Sequence, residues 1–448
     1  MAAQVPSSMK ALVADRSIVT RLSNYSCGHS SGDGVKIQTV PVPGILDNEI
    51  LVRVRSVALN PTDFKHIDIV APRGAIIGCD YSGTVARVGA KAPGYWQVGD
   101  RVAGFIHGGL YTDRGSFAEY LKIPGDLAWK VPPSVSDEGA ATFGVSAVTA
   151  MLALNARLGV PWLDSGKGEG RTDTPIFIYS GSTAAGLYSI QLAKLAGLKV
   201  VTTASPKSYD LVKEYGADDV FDYRSPTAVE DIIRAYPNID RALDCFSEGK
   251  STEFCADVVR RSRGWVVTLL DSGKKEMDGV RIDFMLGYTV FNAEFQWLPP
   301  LGPKFPKVPS DNEALRRFYA ALPEIAPKLK TPPLEKIDGG LENLTTGLDL
   351  LRQGKLMLLF WHIKTGPVFH GGVASSSANF ATGLRISIWP HGVSLKLAMN
   401  GDFRAKYSGK TRFEPSTTWS KTSRDKLIWR RALKLELAEG LMCPFPFG

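Results

Sequence analysis

Ser180-Gly181-Ser182-Thr183, closed by Gly186, lies between the apolar run 175–179 (PIFIY) and a helix-like stretch from Ala184. A strand-to-helix turn of small residues presents backbone N–H groups and the positive end of a helix dipole, a natural cradle for a pyrophosphate. Gly181 suits a tight backbone, Gly186 suits close helix–strand packing, and the three hydroxyls can donate to phosphate oxygens. An α/β loop that binds nothing has the same residues, so the turn alone leaves both readings open. The next strand, KVVTTAS, ends in Ser205-Pro206-Lys207-Ser208. A carboxylate there would bind a ribose 2′-hydroxyl and repel a 2′-phosphate, whereas hydroxyls and a lysine accept the phosphate. These residues point to NADPH, against a plain solvated loop lysine. Tyr223, just past the third strand, is placed either to lie against the adenine or ribose or to cap the core edge.

The elements that position this turn alternate from Pro175 onward. Continuous apolar strands (PIFIY, KVVTT, DVFDY, RALDCF, WVVTLL) alternate with helical patterns, which predicts a domain over about 165–295 built on a doubly wound parallel sheet covered on both faces. Residues 10–130 carry short β-branched runs punctuated by Gly, Pro and Asp, the pattern of an antiparallel barrel in a domain spanning about 1–160. A long helix is expected from Ser136 onward, and 165–174 reads as a polar surface connection. Helical patterns in 300–355 are expected to return to the first domain.

Bulk properties narrow the function classes. The 448 residues have ordinary globular composition, and the +8 net charge comes entirely from Lys364 onward, where thirteen Lys/Arg face five Asp/Glu. A nucleic-acid surface on the main body is therefore not expected. No apolar run reaches membrane-spanning length, no secretory leader is apparent, and the five cysteines form no C-x-x-C pair, so a reduced cytoplasmic setting is the expectation. Residues 356–448 shift from a dense apolar run to small polar residues, an atypical tail that reads as disordered or as a retained-intron artefact.

The segments LVRVRSVALNPTDFK (51–65), IGCDYSGTVARVG (77–89), VGDRVAGF (98–105) and GSFAEYLKIP (115–124) resemble the medium-chain dehydrogenase/reductase superfamily, with a GroES-like β-barrel domain and a Rossmann domain. Asn60-Pro61-Thr62-Asp63 and Gly78-Cys79-Asp80 stand where zinc-dependent members have metal ligands, so a zinc-free reductase without a metal is implied. NPTDFK, SGSTAAG, TASPKSYDLVKEYGAD, DYRSP, ALDC and GYTVFNAEF are most similar to the fungal trans-acting enoyl reductases of polyketide biosynthesis. That resemblance implies NADPH contacts at Pro61, Thr62, Asp63 and Phe64, at Ser180, Gly181, Ser182 and Thr183, at Ser205, Pro206, Lys207 and Ser208, and at Tyr223, Leu269 and Leu270. It implies an acyl pocket lined by Thr142, Phe143, Gly144, Val145, Ser146, Ala147, Val148 and Thr149, and by Tyr288, Thr289, Val290, Phe291 and Asn292. The family's terminal strand resembles KYSGKTRF (406–413), which would make Tyr407 and Ser408 cofactor contacts if 356–405 interrupt one original element.

The implied activity is reduction of an α,β-unsaturated thioester carried by the acyl carrier domain of a partner polyketide synthase. Hydride transfer to the β-carbon leaves an enolate that takes a proton, which needs alignment and oxyanion stabilisation but no nucleophile. Lys65 is the candidate for ordering the cofactor or stabilising the enolate, with a barrel-rim lysine as the plain alternative, and water can supply the proton. A soluble quinone or enone reductase and a catalytically inactive NADPH-binding protein are the competing readings.

Overall fold

The computed structural model describes residues 4–27, 34–162, 175–299, 302–337, 340–354, 359–362, 386–389 and 392–395. The chain divides into a main unit, Met1–Thr365 with Pro444–Gly448, and a second unit, Gly366–Cys443. The connection 165–174 and residues Tyr407 and Ser408 lie outside the described residues.

The first half of the main unit is a β-barrel. β1 (Ser8–Ala14) is followed by helix α1 (Ile18–Cys27) and pairs antiparallel with β2 (Val35–Pro41). β3 (Glu49–Leu59) is the longest strand; helix α2 (Pro61–Lys65) follows it and runs into a π-helical turn, His66–Val70. β4 (Asp80–Val88), β5 (Arg101–Phe105), β6 (Tyr120–Pro124) and β7 (Trp129–Lys130) complete this part, β3 pairing with both β4 and β6. The expected strands are present, whereas α1 lies in a segment read as wholly β. It is held by side chains: Arg21 donates to the Val70 carbonyl at 2.9 Å and Asn24 to the Asp68 carbonyl at 3.0 Å.

The helix expected from Ser136 is broken. Ser136 caps α3 (Asp137–Ala141), accepting from the Gly139 N–H at 2.9 Å. The chain turns at Gly144 and resumes as α4 (Val145–Met151). A buried carboxylate causes the break: Asp80 Oδ1 accepts from the Val145 N–H at 2.6 Å, and a Cβ on residue 144 would lie 2.0 Å from that oxygen. Continuous helix would deny Asp80 this donor.

The second half follows the expected alternation: β8 (Pro175–Tyr179), α5 (Ala184–Leu195), β9 (Lys199–Thr203), α6 (Tyr209–Glu214), β10 (Asp219–Phe221), α7 (Ala228–Ala235), β11 (Arg241–Asp244), α8 (Ser251–Val259), β12 (Trp265–Thr268), β13 (Glu276–Met277) and β14 (Val280–Phe284). The order is β10-β9-β8-β11-β12-β14-β13, parallel except for β13. Every β8 residue is buried, as a central strand covered on both faces requires.

A small hairpin, β15 (Phe295–Gln296) with β16 (Lys304–Phe305), precedes α9 (Pro309–Ile325). Arg316 of α9 meets Asp126 of the barrel at 3.0 Å. β17 (Glu335–Ile337), α10 (Leu344–Arg352) and β18 (Leu359–His362) close the main unit. β18 lies in the segment read as tail, yet it pairs antiparallel with β3 and parallel with β17, extending the barrel sheet. In the second unit, β19 (Ile386–Trp389) and β20 (Gly392–Leu395) form an antiparallel pair.

Candidate active site

The turn after β8 is built by packing. Ser180 takes a left-handed φ of +58°, and its N–H donates to Thr203 Oγ1 at 3.0 Å, tying the turn to the end of β9. A Cβ on Gly181 would lie 2.1 Å from Thr202 Oγ1, and one on Gly186 would lie 2.7 Å from the Ser180 carbonyl oxygen. Both glycines are therefore needed to seat the first turn of α5 against the strands, where the Ala184 and Ala185 N–H groups have no acceptor within the helix. The backbone cradle fits a dinucleotide pyrophosphate. One expected phosphate donor is otherwise engaged: Thr183 Oγ1 donates to the Ser180 carbonyl at 2.9 Å and accepts from the Gly186 N–H at 3.1 Å as the helix cap.

Beside this turn, Ser205–Ser208 curl into a short 3-10 turn with Pro206 and Lys207 exposed. Tyr223 is 41 % exposed at the same rim, packed edge-on to Tyr179 at 6.1 Å and covered by the Arg224 guanidinium at 5.7 Å. Arg224 is paired with Asp222 at 2.8 Å, so Lys207 is the better placed cation for an anionic ligand. At the end of β12, the Leu269 N–H donates to Ser247 Oγ at 2.8 Å, while Leu270 is buried.

Asp244, buried at the end of β11, was missed in the sequence. It accepts from the Phe246 and Ser247 N–H groups and from the Ser251 and Thr252 hydroxyls, at 2.7–3.1 Å. The signal was a strand-end aspartate followed by hydroxyls three, seven and eight residues on. This carboxylate shapes the loop that carries Glu248, whose Oε1 lies 3.5 Å from Lys65 Nζ. Burial lowers the Lys65 pKa, and Glu248 opposes that shift.

On the barrel side, Pro61 starts α2 and Asp63 caps it, accepting from the Asn60 N–H at 2.7 Å. Asp63 is 1 % exposed, so its side chain belongs to the buried interior rather than to the cofactor surface inferred from resemblance. Asn60 Nδ2 donates to Asp80 Oδ2 at 2.9 Å, linking α2 to the carboxylate that breaks the α3–α4 helix. Phe64 faces the Arg352 guanidinium at 5.2 Å, and Arg352 pairs with Asp68 at 3.1 Å, which anchors α10 behind α2.

The acyl-pocket expectation divides by burial. Thr142, Phe143, Ala147, Val148 and Val290 are core side chains with at most 1 % exposure, so they cannot line an open pocket. Phe143 packs on Trp129 and Tyr188, at 5.5 and 5.0 Å, and burying a ring of this kind contributes roughly 1.5–3 kcal/mol. Thr142 Oγ1 meets the Tyr188 hydroxyl at 2.6 Å. Gly144 is taken up by its contact with Asp80 and Ser146 is buried, leaving Val145 and Thr149, one helical turn apart, as the partly exposed residues of this stretch. Residues 287–291 form a 3-10 turn, and Asn292 follows with φ +50°. Thr289 donates to Asp311 Oδ2 at 2.5 Å, and Asp311 is bridged by Arg157 at 2.7 and 2.8 Å. Phe291 is partly buried and packs on Phe105 at 4.9 Å.

Tyr288 joins the two halves of the site. Its hydroxyl lies 2.8 Å from Thr62 Oγ1 and 3.3 Å from Cys79 Sγ. The ring stacks on His66 at 5.2 Å and on His107 at 4.2 Å. Burial pushes the His66 pKa down to about 4 and lowers that of His107 as well, so both are neutral near pH 7. Isolated in the sequence, neither histidine signalled this role. Among the described residues, no group of three or more His, Cys, Asp or Glu side chains is arranged to hold a metal ion, and no helix is long and apolar enough to cross a membrane.

A GroES-like barrel joined to a Rossmann sheet, with a glycine turn at the end of its first strand, defines a medium-chain dehydrogenase/reductase. The family models for "Alcohol dehydrogenase GroES-like domain" and "Zinc-binding dehydrogenase" match residues 46–133 and 184–280. Solved structures share the fold: CurK enoyl reductase (TM-score 0.60, 18 % identity, 80 % of this chain and all of that one) and the Coxiella burnetii quinone oxidoreductase (TM-score 0.55, 21 % identity, 80 % and 100 %). Trans-enoyl reductase FSL5 of Gibberella zeae is 36 % identical over 337 residues, covering 73 % of this chain and 92 % of that protein. Trans-enoyl reductase TOXD of Cochliobolus carbonum is 40 % identical over 257 residues, covering 57 % and 85 %. The chain belongs to the trans-enoyl reductases, and is an oxidoreductase of the enoyl reductase class that uses a nicotinamide cofactor.

Proposed function

We propose that this protein is an NADPH-dependent enoyl reductase acting in trans on a polyketide synthase, reducing α,β-unsaturated thioesters presented by the synthase's acyl carrier domain. The observation carrying this reading is the pairing of a packed glycine cradle after β8 with a carboxylate-free Ser205–Ser208 turn bearing exposed Lys207. A 2′-phosphate would find hydroxyls and a cation there, and no carboxylate within the turn itself to repel it. When bound, the dihydronicotinamide supplies the hydride that reduces the β-carbon.

The chain's own residues do the rest. The first turn of α5 and Ser182 hold the pyrophosphate, while Pro61, Phe64 and Leu269 border the nicotinamide end. Lys65, positioned by Glu248, supports the cofactor or the enolate oxygen. Val145, Thr149, Phe291 and Asn292 leave room for an acyl chain.

Steady-state assays test the reading. A 2-enoyl pantetheine thioester should be reduced with NADPH at a kcat/KM at least tenfold above that with NADH. Adding the protein to a partner synthase should yield a more saturated product. Equal use of NADH would sink the cofactor assignment. Turnover of quinones, with none of enoyl thioesters on pantetheine or on the carrier domain, would make the protein a quinone reductase instead.

A further inference from the structure

Enoyl reduction also needs a proton at the α-carbon, and the buried polar chain behind α2 is built to carry one. Resting on the enoyl reductase reading of the cleft, we propose that Thr62 donates this proton and is resupplied through Tyr288 and Cys79 from Asp63. Tyr288 bonds to Thr62 on one side and to Cys79 on the other, at 2.8 and 3.3 Å. Cys79 and Asp63 are buried together, and the thiol interacts electrostatically with the carboxyl. Thr62 is partly exposed whereas the other three are buried, so of the four it is Thr62 that reaches solvent.

The surroundings orient Tyr288 without competing as acids. His66 Nδ1 donates to the Gly108 carbonyl at 3.0 Å, and its other nitrogen, Nε2, is buried without a hydrogen-bond partner among the described residues. As neutral rings, His66 and His107 both pack on the phenol and hold no proton to give. Burial raises the pKa of both Tyr288 and Cys79, so neither keeps a negative charge after passing a proton on. Asp63 can. Burial pushes its carboxyl up to about 7, against opposing contacts from Asn60 and Cys79, and Oδ1 has no aligned hydrogen-bond partner among the described residues. The ionisable groups interacting with Asp63 are Cys79, Asp80 and Tyr288, with Lys65 and His66 following on its own element.

The step balances. A C–H bond forms at the α-carbon as the Thr62 O–H bond breaks; Thr62 takes the Tyr288 proton, Tyr288 that of Cys79, and Cys79 that of Asp63. The enolate charge ends as a carboxylate at Asp63, which regains a proton from solvent once product leaves.

The test compares wild type with Y288F, T62V, T62S and D63N on a 2-enoyl pantetheine thioester. Y288F keeps the stacked ring, so NADPH affinity by fluorescence titration should be unchanged while kcat falls about 10²-fold or more, the scale of lost general-acid catalysis. T62V should fall similarly, and T62S should recover most of the rate. The wild-type kcat should decline above pH 7, D63N should lose that limb, and a protonated-carboxyl infrared band titrating near 7 in the free protein should vanish in D63N. If Y288F and T62V keep more than half of kcat with an unchanged pH profile, water supplies the proton and the proposal falls. A wild-type protein that oxidises NADPH only with quinones overturns the enoyl reading, and the proton path with it.

Discussion

Replacing Asp63 by asparagine tests the burial argument through folding alone. The Asp63 carboxyl is 1 % exposed and its pKa is pushed from 3.8 to about 7, chiefly by burial. At ~1.4 kcal/mol per decade, that displacement corresponds to ~4 kcal/mol. The unfolded chain ionises this group near 4 and the native state near 7, so between those pH values the native state holds a proton that the unfolded state has lost. Its contribution is therefore complete below about pH 4, declines as pH rises, and is fully lost above about pH 7. From pH 5 to pH 8 the loss is ~2.5 kcal/mol. Asparagine keeps an oxygen for the Asn60 N–H but cannot titrate, while Asp80, Cys79 and Tyr288, raised chiefly by burial, lose only the smaller push from Asp63. Urea unfolding of wild type and D63N at pH 5, 6, 7 and 8 isolates the group: the gap between the two should shift by ~2.5 kcal/mol in favour of D63N as pH rises. Parallel pH dependences for the two proteins would refute the raised pKa and remove the proton reservoir.

Gly181→Ala puts a Cβ 2.1 Å from Thr202 Oγ1. Displacing the α5 start should weaken NADPH binding at least tenfold in fluorescence titration and cost roughly 1–3 kcal/mol of stability. Lys207→Glu should lower kcat/KM for NADPH by an order of magnitude or more and leave NADH use nearly unchanged; a change common to both cofactors would place Lys207 outside the 2′-phosphate site. Asp311→Asn breaks the bridge to Arg157 that also receives Thr289. Because Arg157 keeps partial solvent access, the loss should lie at about 2–3 kcal/mol, below or at the bottom of the range for fully buried pairs, read by urea unfolding; a loss below 1 kcal/mol would show that the bridge does not hold the Tyr288 turn.

Periodicity made much of the fold legible, because a strand covered on both faces must be continuously apolar and a packed helix must repeat its apolar face. The alternation from Pro175 to Thr268 was visible for that reason, whereas β13 and β14 were not read. The break at Gly144 was not, since it depends on a carboxylate 64 residues earlier in the chain, at Asp80. Helix α1 escaped notice because Arg21 and Asn24 secure it to backbone carbonyls near residue 70. β18 was hidden in a segment whose composition resembled a tail, although β3 offers it an antiparallel edge.

Local chemistry determined the cofactor turn and the absence of a carboxylate at the end of the second strand, since both depend on residues adjacent in the chain. Which expected pocket residues reach solvent was decided only by packing: Phe143, Ala147 and Val148 are fully buried, whereas Val145 and Thr149 keep partial exposure. The same holds for the Tyr288 hydroxyl. Its partners Thr62 and Cys79 lie more than two hundred residues away, and only the meeting of barrel and parallel sheet brings them within hydrogen-bond reach. Types and spacing along a chain specify local geometry, but a buried group's pKa and partners depend on what the tertiary fold packs around it.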